Sequence, residues 1–197
     1  MPVSNTRLRY GAVAMTLHWL IAAALVFNLC LGLYVAEVLT NQDPSRFGLI
    51  QFHKSIGLTI LVLSLARLGW RIVNPIPPLP DTLTPALKVL ARGTHYLLYF
   101  LIITIPLAGW ALVSSSPLGL PTHYFGLFHW PNIPFLADLP RAQKVPLRHD
   151  FFALHMYLAF SAVALVALHV AGALYHQMHG DDVLRRMVPG TRVAGET

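Results

Sequence analysis

One stretch constrains this chain more than any other. Phe151 to Tyr175 reads FFALHMYLAFSAVALVALHVAGALY, 25 residues without a single Asp, Glu, Lys or Arg. A run of that length crosses a bilayer core as a helix. It nevertheless carries two histidines, His155 and His169, 14 residues apart. Fourteen residues at about 100° each return the second to within roughly 40° of the first, about 21 Å further along the axis. One face of one membrane helix therefore offers two imidazoles, one towards each leaflet. Ionisable groups inside a span are costly and mark function by default.

Composition agrees with a membrane protein. Of 197 residues, 55% are hydrophobic and only 11% are charged, against about 25% charged in an ordinary soluble domain. The formal charge of +6 fits basic loops at a membrane surface, not nucleic-acid binding. Cys30 is the one cysteine, so the chain forms no internal disulfide. No cleavable signal is evident: the apolar run after Arg7 and Arg9 is too long for a signal core and reads as a retained first span.

In chain order, spans are expected at about 12–38, 49–72, 93–113 and 151–175, with His18, His53 and His95 near the starts of the first three. The fold class expected is all-α and integral to the membrane, a four-transmembrane-helix bundle forming one domain over residues 1–197. Asn74 to Pro85 is proline-rich and reads as a stiff extended connector. Pro106 is expected to kink the third span. Residues 114–149 form the longest segment outside the spans, with aromatics Tyr124, Phe125, Phe128 and Trp130 followed by Arg141, Lys144 and Arg148. It reads as a loop on the membrane surface.

Four spans place both termini on one side. That side collects Arg7, Arg9, Arg67, Arg71, Lys88, Arg92, Arg185, Arg186 and Arg192; the other collects Arg46, Lys54, Arg141, Lys144 and Arg148. The excess of basic residues on the cytoplasmic side of membrane proteins then puts both termini in the cytoplasm.

Depth pairs the histidines. His18 and His169 fall at the inner level, His53 and His155 at the outer. Two imidazoles facing across a bundle hold a haem iron from both sides, and the closed iron favours electron transfer over O₂ binding. The residue one turn after each is small: Ala22, Gly57, Ala159 and Ala173. His95, the rival inner histidine, has Tyr99 in that place. Two other readings remain open here: hydrogen-bonded core histidines and a bare-metal transport site.

The order of parts resembles the bacterial cytochrome b561 family. The matching stretches are TLHWL (16–20), FHKSIG (52–57), RLGWR (67–71), THYLLYFLIITIPLAGW (94–110), FGLF (125–128) and LHMYLAFSAVALVALHVAGALYHQMHGDDVLRRMVPG (154–190). Nearly the whole chain is covered, and the segment 114–149 is its least similar part. The resemblance implies two haem b groups, with His18 and His169 ligating one and His53 and His155 the other. It implies a bacterial inner-membrane protein. One characterised type in the family passes electrons from superoxide on the outer face to ubiquinone in the bilayer. Arg141, Lys144 and Arg148 before the fourth span, and Lys54 beside His53, fit a positive rim that attracts such an anion, and equally fit interfacial anchors. The alternative is a cytochrome b anchor subunit relaying electrons between a partner dehydrogenase or hydrogenase and quinone. Trp19, Trp70, Trp110 and Trp130 are expected at the interfaces. His123, His129, His149, His176 and His179 are expected at the surface.

Overall fold

The structure is a computed structural model and describes residues 2–80, 82–181 and 183–191. Arg192, counted above among the basic residues, lies outside them. The elements in order are α1 (Ala12–Glu37), α2 (Arg46–Val73), α3 (Pro85–Ser114), β1 (Thr122–Tyr124), β2 (Phe128–Trp130), α4 (Pro134–Ala137), α5 (Arg141–Met178) and a 3₁₀ turn, Arg185–Met187. Helices α1, α2, α3 and α5 are each long and apolar enough to cross a membrane.

Their surfaces explain the composition. Only 6% of the most apolar stretch of α5 is buried within the protein, and Phe160, Leu168 and Val170 stand exposed. Among the fully buried side chains are Ser55, Ser64, Ser114 and Ser115. Lipid is as apolar as leucine, so small polar residues are placed between helices and large apolar ones outside.

The chain forms two compact units, and each long helix contributes to both. One unit takes the chain up to Ala22, Leu63–Phe100 and Ala162 onward; the other takes Ala23–Val62 and Leu101–Ser161.

In the first unit, the segment before α1 folds back on the helix start. Ala12 N donates to Pro2 O at 2.9 Å and Val13 N to Val3 O at 3.4 Å, satisfying donors that a helix N-terminus leaves open. The backbone of Val3 and Ser4 lies so close to Gly11 that a Cβ there would collide with it. Helix α3 begins at Pro85, earlier than the apolar run at 93. Thr84 caps it, accepting from Leu87 N at 3.3 Å, and Pro85 fits the first helical position because its missing N–H is not needed there.

In the second unit, α5 begins at Arg141, ten residues before the uncharged run. Hydropathy marks the depth of the bilayer, not the length of the helix, so Arg141, Lys144 and Arg148 are helical rather than loop. The remainder of 114–149 contains α4 and an antiparallel hairpin pairing Thr122 with Trp130, His123 with His129 and Tyr124 with Phe128. Phe125 and Gly126 turn it with φ of 47° and 75°, a conformation that strains a bulky phenylalanine. Ser55 on α2 anchors the turn: its hydroxyl accepts from Phe125 N at 3.0 Å. Gln51 Nε2 donates to Pro121 O at 3.2 Å. Helix α3 continues through Pro106.

Candidate functional site

Histidines meet in both units. In the first, the rings of His18 on α1 and His169 on α5 have centroids 6.3 Å apart at an interplanar angle of 74°. His95 on α3 is a second neighbour of His169, at 5.5 Å and 75°. In the second, His53 on α2 and His155 on α5 face each other at 6.0 Å and 83°. The four histidines paired by depth in the sequence thus meet as those pairs, and His95 joins the first.

A shared metal ion would set the spacing of two rings. With the zinc–imidazole distance of about 2.0–2.1 Å as a guide, two coordinated rings have centroids about 6 Å apart. Both pairs match. His155 also has its tautomer set. Its Nδ1 lies 3.0 Å from the carbonyl oxygen of Ile105, so Nδ1 carries the proton and Nε2 keeps a free lone pair, as ligating histidines do. His53 Nδ1 is buried and faces the Asn28 backbone without a well-formed hydrogen bond.

Glycines on neighbouring helices make room for these rings. A Cβ on Gly32 would lie 2.9 Å from His53 Cε1, and one on Gly109 3.1 Å from His155 Cε1. These two positions were not singled out in the sequence. The small residue one turn after His53, Gly57, has only Asn28 Nδ2 near it, at 3.6 Å.

Beside the first unit's histidines lie two arginines. Arg67 Nη1 donates to Ala14 O at 2.8 Å, and the Arg67 and Arg71 guanidiniums sit 5.9 and 5.4 Å from the centre of the Tyr99 ring. Tyr99 therefore occupies the space one turn from His95. Trp19 Nε1 donates to Met187 O at 2.8 Å, and Trp110 Nε1 donates to Pro131 O at 2.9 Å.

His176, expected as a solvated surface residue, is instead largely covered. Its Nδ1 lies 2.9 Å from Asp181 Oδ2, and Thr82 Oγ1 donates to Asp181 Oδ1. These contacts hold the Asp181 carboxyl below its ordinary pKa. His179 and His149 are exposed. His123 and His129 face each other across the hairpin, with centroids 4.4 Å apart. Among the described residues, no cluster of three or more His, Cys, Asp or Glu is placed to hold a bare metal ion.

Helices of membrane length with imidazoles facing across them define a class of membrane-embedded helical electron carriers. The chain belongs to the prokaryotic cytochrome b561 family, whose model matches residues 9–190. Proteins of this family are membrane helical bundles that bind haem b and transfer electrons. The chain is 35% identical to cytochrome b561 homolog 2 of Escherichia coli (strain K12), over 95% of both chains. It is 31% identical to cytochrome b562 of Cereibacter sphaeroides, over 91% of this chain and 94% of the relative. It is 26% identical to the probable superoxide oxidase CybB of Yersinia pestis, over 93% of this chain and 98% of the relative. It is a bacterial membrane protein.

Proposed function

We propose that the chain works as one di-haem domain that passes electrons from superoxide on the outer face of the inner membrane to ubiquinone in the bilayer. His53 and His155 hold the outer haem b, and His18 and His169 hold the inner one. Both termini are cytoplasmic. The observation that carries this reading is the pair of facing imidazole sets, 6.0 and 6.3 Å apart.

When bound, haem b supplies an iron that exchanges one electron. His53, His155, His18 and His169 would hold that iron through their imidazoles, which would favour one-electron exchange over binding of superoxide or O₂ at the metal. His18 is assigned above His95 because Ala22 follows it one turn on, whereas Tyr99 under two guanidiniums fills the corresponding place beside His95.

The outer end draws in the anion. Arg141, Lys144 and Arg148 lie on the first turns of α5, and on an ideal helix they share an arc of about 60° with His155. A basic stripe that continues onto the face of a haem ligand concentrates an anionic reductant there and raises its encounter rate. Each superoxide loses one electron and leaves as O₂. Two electrons and two protons convert one ubiquinone to ubiquinol. The relative from Yersinia pestis named a probable superoxide oxidase supports this donor.

The test is a reduced-minus-oxidised visible spectrum with haem quantitation on the purified protein, followed by rapid mixing with superoxide. Two low-spin b haems per chain that become reduced are expected. Two haems that stay oxidised with superoxide but are reduced by quinol would replace this donor with a partner dehydrogenase or hydrogenase. Absence of haem would overturn the assignment.

A further inference from the structure

Among the described residues, the first unit contains a group of hydrogen-bond donors with no acid to receive them. Arg67 and Arg71 stand one turn apart on α2, both partly buried. Like charges at that spacing repel each other, and partly buried cations need a counter-charge. Among the described residues neither guanidinium meets a carboxylate. Arg67 reaches the Ala14 carbonyl and the Tyr99 face; Arg71 reaches Tyr10 and the same face. Between them Trp70 Nε1 is buried without a hydrogen-bond partner. A buried indole N–H is a donor that normally finds an acceptor.

These residues line one crevice. Tyr10, Arg67, Trp70, Arg71 and Tyr99 line it together with Asn5, Ala14 and Ile76, and its free volume is about 20 Å³. On that measure a single water needs about 10–15 Å³. As it stands the space holds about one water, so an oxyanion head would enter only by moving side chains such as the arginines, and a quinone ring is excluded. Tyr10 lies just before α1, and burial raises its pKa. Its oxygen accepts a hydrogen bond from Arg71.

We propose that Tyr10, Arg67, Trp70 and Arg71 form a binding site for an oxyanion head, a carboxylate or a phosphate. Guanidinium, indole N–H and phenol O–H are all donors, and an ionised oxyanion is acceptor-only, so the two sets are complementary. Two sources carry such a head into a membrane protein: the carboxylate tail of a bound haem and the phosphodiester of a lipid headgroup. Position favours the haem carboxylate. Ala14, whose carbonyl holds Arg67, is one turn before His18, and Tyr99 is one turn after His95. The haem source rests on the function proposed above; the oxyanion site does not.

The experiment uses the purified holoprotein carrying haem with ¹³C-labelled propionate carboxylates, read by redox-difference infrared spectroscopy. Bound phosphorus per chain is measured after delipidation. The variants are Arg71→Met, which removes one cation, and Trp70→Phe, which removes only the indole N–H and keeps a ring for packing. A shift of the labelled carboxylate band in both variants, at unchanged haem content, is expected and assigns the site to the haem. An unmoved band with loss of bound phosphorus in both variants supports the oxyanion site and assigns it to lipid. An unmoved band with unchanged phosphorus overturns the site. Wild-type protein without haem would sink the proposed function, and the phosphorus arm would then decide the site alone.

Discussion

His155 Nδ1 lies 3.0 Å from the Ile105 carbonyl oxygen, and it reaches that carbonyl across a glycine. Gly109 is one turn further along α3, and a Cβ there would press on His155 at 3.1–3.2 Å. Gly32 stands in the same relation to His53, more tightly, at 2.9 Å.

Gly32→Ala and Gly109→Ala should therefore displace one ligand ring each. Disturbing the groups that orient a metal-bound histidine costs about 10–100-fold in affinity. The expected outcome is loss or weakening of the His53/His155 haem with the other retained, measured by haem content and redox titration. Full retention of both haems at unchanged potentials would remove the cradle from the argument.

Histidine replacements separate the two sites. His155→Ala and His169→Ala should each leave one haem per chain, with different spectra and potentials. His95→Gln should leave two. A one-haem His95→Gln protein would transfer the ligand role from His18 to His95, the nearer neighbour of His169 at 5.5 Å.

Charge reversal tests the outer stripe. Lys144→Glu with Arg148→Glu should slow the second-order reaction with superoxide about tenfold at low salt, and less as salt screens the field. Haem content should stay unchanged. A rate indifferent to both substitutions and to ionic strength would reduce the stripe to a lipid anchor.

Ser55 holds the hairpin to α2 together with Gln51 and Thr59. Ser55 is 1% exposed, donates to Gln51 O and His123 O, and accepts from Phe125 N. Ser55→Ala should leave Phe125 N–H and the His123 carbonyl poorly satisfied, at about 1–3 kcal/mol for a buried group without its partner. Faster limited proteolysis between Thr122 and Trp130 is the expected readout. Unchanged cleavage would mean the strands hold themselves.

The four membrane helices were legible because an apolar run long enough to span is a strong signal. Their ends were not. Arg141, Lys144 and Arg148 interrupt the hydropathy of α5 but not its hydrogen bonding, and Thr84-Pro85 starts α3 well before its apolar stretch. The hairpin escaped notice because strands of three residues, THY and FHW, are too short for alternation to appear. The histidine pairs could be read from helical period and depth, both properties of the chain itself. Gly32 and Gly109 could not: their role depends on which helix lies opposite, and that register is set by packing. The same holds for His176, which meets Asp181, itself held by Thr82 from another segment.

The fold-back of the first residues over Gly11 has a practical consequence. Pro2 and Val3 offer their carbonyls to the opening N–H groups of α1, so these two residues are part of a folded element. An affinity tag fused directly before Pro2 would compete with that cap. A reporter placed there needs a spacer to leave the helix start undisturbed.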